Sequence, residues 1–209
     1  MRPCTRFWLI RHAIVDEASR AVLYGRMDVP ISSESLTAQA GLYRSLAMRL
    51  PRGAQWLVTP LQRTQRTAEA ILRASTERCF PEIEPGLTEQ DLGQWQGLRH
   101  ADLPAQLADP AHPFWPVGPD EIPPGGESMT HVMRRVGDTL ERLAEQHQGR
   151  DIVAISHGGA IRAAVAHALS VDGRAALHLS IQNLSLTVIE RFDAGWRVVL
   201  VNEGAEILA

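Results

Sequence analysis

The chain has 209 residues, enough for one domain, and its 44% apolar to 22% charged balance is that of a soluble globular protein. All 21 basic residues are arginine, which excludes Schiff-base lysine chemistry, a Walker A phosphate loop and a kinase-type strand lysine. Set against 24 acidic residues they leave a net charge of −3, so no basic field points to nucleic acid or an anionic membrane.

The chain begins Met1-Arg2-Pro3 with no apolar stretch of leader length behind it. Thr5 to Ile10 reads as a short buried strand, and its apolar run is closed by Arg11 and His12, too soon for a membrane span. Leu36 to Leu50 is expected to be a helix, with Tyr43, Leu46, Ala47 and Leu50 on one face. Gln55 to Thr59 repeats the strand pattern. A helix should follow with Thr59 as N-cap, Pro60 in its first position and Gln62 completing a capping box.

Between Leu98 and Ser128 periodicity disappears, and seven of the 13 prolines fall between Pro104 and Pro124. This stretch, 98–128, is read as an irregular insert serving as a lid on a single domain, 1–209. Ser128 then caps an amphipathic helix marked by Met129, Val132, Val136, Leu140 and Leu143. Asp151 to Ser156 is a third buried strand, which breaks at His157-Gly158-Gly159 into an apolar helix from Ala160 to Leu169. Leu184 to Phe192 and Trp196 to Val201 should form a hairpin around a three-residue loop, Asp193-Ala194-Gly195. The alternation predicts an α/β three-layer sandwich with a mostly parallel central sheet and an antiparallel C-terminal strand.

In such sheets ligands bind beyond the carboxyl ends of the strands, where Arg11-His12 and His157 fall. Arg63, early in the helix after the second strand, can face the same edge. Gly158 and Gly159 open a helix, where free N–H groups favour an anion. Two guanidiniums, two imidazoles and a helix terminus suit a phosphate.

These segments resemble the motifs of the histidine phosphatase superfamily, the phosphoglycerate mutase-like proteins. Arg11-His12-Ala13 is similar to its Arg-His-Gly signature, and Thr59 to Thr64 with Thr67-Ala68 to its second phosphate-binding motif. Glu89 with Gly93, Trp95 and Gly97, then Gly125 to Ser128, Ser156 to Gly159 and Asn183 to Thr187 match further segments in order. The Leu23-Tyr24-Gly25 stretch resembles the α-ribazole phosphatase branch most.

The resemblance implies that His12 takes the phosphoryl group, that Arg11, Arg63 and His157 hold it, and that Glu89 is the general acid and then base. Arg26 is a candidate for touching the substrate. The expected protein is a cytoplasmic phosphomonoesterase with no cofactor and no metal. It would hydrolyse a small phosphorylated metabolite through a phosphohistidine and need no nucleic acid or membrane partner. The alternatives are a phosphoglycerate mutase-type transferase, a non-catalytic phospho-ligand-binding module and a metallo-phosphatase. The last is opposed by the lack of ligand-spaced carboxylates and histidines.

The sequence departs from the family pattern at Ala13, Val15 and Ala18, which replace a Gly and two polar residues. His100, His112, His131, His147, His167 and His178 show no metal-ligand spacing. Trp95 and Trp115 are read as packing residues, with Trp115 able to line a substrate wall. Arg134, Arg135 and Arg162 are read as solvated helix residues. Cys4 and Cys79 are read as reduced thiols of an intracellular protein. Oligomeric state is not legible, because an apolar helix face serves a core or a partner equally.

Overall fold

The computed structural model describes residues 4–108 and 112–204. Met1-Arg2-Pro3 and residues 109–111 of the insert lie outside them.

The elements follow in chain order: β1 (Thr5–Arg11), α1 (Glu17–Arg20), α2 (Ser33–Ala38), α3 (Ala40–Arg49), β2 (Gln55–Val58), α4 (Gln62–Arg73) and β3 (Glu82–Ile83). After the irregular stretch come α5 (Met129–Gln146), β4 (Asp151–Ser156), α6 (Gly158–Leu169), α7 (Gly173–Ala176), β5 (Leu186–Phe192) and β6 (Gly195–Glu203). The strands form one sheet in the order β3-β2-β4-β1-β5-β6. β1, β2, β3 and β4 pair in parallel, while β5 and β6 add antiparallel.

The pleat explains the layers, because successive side chains on a strand point to opposite faces. Ile152 and Ala154 of β4 join Phe7 and Leu9 of β1 under α5 and α6, which supply Val132, Val136, Leu140 and Ile161. Val153 and Ile155 join Ile10 on the other face, under Tyr43 and Leu46 of α3 and Ala68 and Ile71 of α4. Helices therefore cover both faces of the sheet, the predicted three-layer α/β arrangement. β4 lies at the centre, and Ile152 through Ile155 are fully buried, which explains an apolar run without alternation. Each such Val or Ile contributes about 1.5–3 kcal/mol of burial.

Several boundaries differ from expectation. The Leu36–Leu50 helix is two helices broken at Gln39, and the first begins at Ser33 because the Ser32 hydroxyl accepts from the Ser35 N–H. α4 starts at Gln62 rather than after Thr59, because Asp28 accepts from the Gln62 N–H at 2.7 Å while the Thr59 side chain is engaged elsewhere. The hairpin turn has two residues, since Gly195 already pairs with Phe192. The irregular stretch contains a 3₁₀ helix, His100–Gln106, and an isolated bridge between His112 and Trp115. Ser128 caps α5 as expected, reciprocally with His131. Cys4 and Cys79 are both free.

Candidate active site

The parallel register of β1 and β4 pairs Arg11 with Ser156, so the next residues of each strand, His12 and His157, leave the sheet side by side. Their rings lie 5.2 Å apart between centroids, tilted by 61°. Both are buried.

The hydrogen bonds of His12 define its tautomer. Nδ1 lies 2.7 Å from the Ala13 carbonyl, which only accepts, so Nδ1 carries the proton and Nε2 keeps its lone pair. The peptide unit is held on both sides: the His12 N–H donates to the Ser156 carbonyl, and the Asn183 amide donates to the His12 carbonyl. Burial, then the charges of Arg63 and Arg11, push the His12 imidazole well below its ordinary range, which keeps it neutral.

His157 is read the same way. Its Nδ1 accepts from Arg63 Nε at 3.3 Å, so Nε2 donates to Thr59 Oγ1 at 2.9 Å. Burial is again the largest cause of its lowered pKa, followed by Arg63. The Thr59 hydroxyl, expected at a helix cap, thus orients His157 and pairs with Thr64. Both ring nitrogens of His157 are engaged within the protein.

Arg63 is fully buried on the first turn of α4. Its terminal nitrogens donate to the Met27 and Gly25 carbonyls, both at 2.7 Å, and its guanidinium lies 5.3 Å from the Tyr24 ring centroid. Two of its five N–H groups remain. Arg11 donates once, to the Ile181 carbonyl, and its buried Nε has no partner.

Glu89 sits across from these groups. Its carboxylate accepts from its neighbour's Gln90 N–H at 3.0 Å and from the Gly159 N–H at 3.2 Å, at the start of α6. The helix terminus expected to meet a bound anion therefore meets this carboxylate. Glu89 is held by a network behind it. Arg135 of α5 donates to the Gly86 and Thr88 carbonyls and to Glu127, whose Oε1 also accepts from the Asp91 N–H. Arg135 is thus not a solvated helix residue.

Arg26 belongs to this network. It donates to the Glu89 carbonyl and to Glu127, and it faces Asp91. It is not among the residues that line the cavity described next, and its guanidinium lies behind Glu89.

A cavity of about 450 Å³ opens beside the site. Arg11, Glu89, Gly158, Gly159 and Asn183 line its inner end, and Val15, Leu23, Leu92, Trp115, Val117 and Met129 supply most of its wall. Val15, a departure from the family pattern, adds to that apolar wall, whereas Ala18 is exposed on α1. Residues of the irregular stretch form one side.

Arg162 is a buried lining residue that sequence reading missed. It is 6% exposed, donates from Nε to the Leu179 carbonyl and stacks 3.8 Å above the Trp115 ring. Burial lowers its pKa to about 10, so it remains charged at neutral pH. The signal was present in the sequence, since Arg162 is the one cation in the apolar run Gly158 to Ala166.

Among the described residues, no group of three or more His, Cys, Asp or Glu side chains could hold a metal ion. No helix there is long and apolar enough to cross a membrane.

Comparison with known proteins agrees with this geometry. A "bifunctional protein" of Mycobacterium tuberculosis is 30% identical over 200 residues, covering 95% of this chain, which spans only 54% of that protein's length. The adenosylcobalamin/alpha-ribazole phosphatase of Escherichia coli is 26% identical over 95% of this chain and 91% of its own. The solved structure of a mycobacterial glucosyl-3-phosphoglycerate phosphatase complexed with VO3 superimposes with a TM-score of 0.79, at 26% identity over 98% of this chain and 100% of that one. The model of the histidine phosphatase superfamily (branch 1) matches residues 7–204, nearly the whole described chain. With that match running over nearly all of its described residues, this chain belongs to that superfamily.

Proposed function

We propose that the protein is a metal-independent phosphomonoesterase that hydrolyses a small phosphorylated metabolite through a phosphohistidine on His12. The observation that carries this reading is the state of His12: buried, neutral, and oriented so that Nε2 is the nitrogen with a free lone pair. A neutral imidazole is a competent nucleophile near pH 7.

In the first step Nε2 attacks phosphorus and the ester P–O bond breaks. Arg11 and Arg63 stabilise the charge on the equatorial oxygens, and Glu89 gives its proton to the leaving alcohol. In the second step water attacks phosphorus, Glu89 takes a proton from it, and the P–N bond breaks to return neutral His12. Phosphoryl transfer asks mainly for positioning and fixed positive charge, which these side chains offer. His157 positions Arg63 through the Nδ1 contact. The insert, 98–128, serves as the lid over the alcohol.

The apolar wall supports an alcohol with an apolar body, so kcat/KM should be higher for phenyl phosphate than for glucose 6-phosphate.

The test is hydrolysis of 4-nitrophenyl phosphate with excess chelator, in wild type and His12→Ala. Chelator-resistant turnover that disappears in the variant is the expected result. Turnover abolished by chelator, or equal in the variant, overturns the reading.

A further inference from the structure

The charges around the inner end of the cavity do not balance. Arg11, Arg63 and Arg162 make no ion pair with a carboxylate among the described residues, and their protein acceptors are the neutral groups already given. Glu89 is the one carboxylate lining this cavity. Three guanidiniums stand around one carboxylate, and Arg20, exposed on α1, lines the same cavity, so positive charge is in excess where a phosphate would sit.

Arg162 stands out within this set. It is more than nine-tenths buried, yet the four N–H groups of its two terminal nitrogens make no hydrogen bond among the described residues. These nitrogens are not among the unpartnered side-chain atoms sealed from solvent, so they open onto the cavity, where a bound anion would meet them. The stack on Trp115 and the Nε bond to Leu179 fix the plane of the guanidinium. It is also close to the phosphate groups proposed above: a Cβ placed on Gly158 would lie 3.5 Å from Arg11 Cζ and 3.6 Å from Arg162 Nη1. The two guanidiniums thus face one another across the first residue of α6.

We propose that Arg162 is a substrate-binding residue that donates from its terminal nitrogens to the phosphoryl group, as a third guanidinium beside Arg11 and Arg63. The proposal deepens the phosphatase reading but rests on binding alone.

The experiment measures inorganic phosphate binding by calorimetry in wild type, Arg162→Gln and Arg162→Lys, with the melting temperature of each. Loss of a charge-assisted fork should weaken phosphate about ten- to hundredfold in Arg162→Gln, with part recovered in Arg162→Lys. kcat/KM for phenyl phosphate and glucose 6-phosphate should fall by similar factors. Unchanged phosphate affinity in the two variants overturns the proposal, and so does a loss confined to one ester, which would mean that Arg162 reads the alcohol. If Arg162→Gln fails to fold, Arg162→Lys, which keeps the charge and the stem over Trp115, decides by the same measurement. Because phosphate binding needs no turnover, a protein that binds phosphate through Arg162 but hydrolyses nothing overturns the proposed function and leaves this inference standing.

Discussion

Gly159 lacks a side chain where Glu89 occupies the space. A Cβ built there would stand 2.3 Å from Glu89 Oε1, whereas one on Gly158 would meet Arg11 Nε at 3.4 Å, an ordinary contact. Gly159→Ala is therefore expected to displace the carboxylate and lower kcat about a hundredfold, the lower range for a general acid. Gly158→Ala should cost far less. Steady-state kinetics of the two variants side by side checks this. At this scale the sequence placed Arg11, His12, Arg63 and His157 well, because each lies within a few residues of a strand end. Arg162 and Arg135 were misread because helical position alone does not tell a wet face from a covered one. What buries Arg162 is Trp115, 47 positions away in a stretch without periodicity.

The segment Pro85 to Asp91 has one 3₁₀ turn, Pro85–Leu87, and no longer element, yet it carries Glu89, the acid of the proposed mechanism. Its order comes from α5 and the turn before it: Glu127 takes hydrogen bonds from Arg26, Arg135 and the Asp91 N–H, and its own carbonyl accepts from Gln90. Glu127→Gln keeps the shape but loses the charge that joins two arginines. It should destabilise the protein by about 2 kcal/mol, given charge-assisted bonds that are partly screened, and lower kcat more than it raises KM. Chemical denaturation and a kcat-against-KM comparison check both effects. The helices and central strands were legible from apolar period and capping residues, as with Ser128 before α5. The start of α4 was not, because its first N–H is capped by Asp28, whose approach is a tertiary contact.

For the whole molecule, the paired histidines His12 and His157 tie acid stability to the site. Both have folded-state pKa values pushed below the ordinary 6.5 by burial and by nearby arginines. Below pH 6.5 the unfolded chain takes up protons that the folded one refuses. Stability must therefore fall as pH is lowered through that range, by up to about 1.4 kcal/mol per pH unit for each histidine. Glu141, lowered against its burial by hydrogen bonds from the Trp196 indole and Arg191, and Glu190, lowered by Arg197 and Arg6, lose their contributions only at lower pH. Thermal melts at pH 7, 6 and 5 should show a decline that is shallower in His12→Gln. An equal slope in wild type and variant would mean that His12 titrates normally.

The histidine pair is a rung of the sheet carried one step past its last paired residues. Its spacing is set by the separation of two backbones rather than by any loop, although the partners are 145 positions apart in the chain. A one-residue slip of β4 against β1 would turn every side chain to the wrong face and part the rings together. No partly registered sheet can hold a working fraction of this site. The candidate site forms only when the two halves of the chain have found each other, so it is also a record that the central strands are correctly joined.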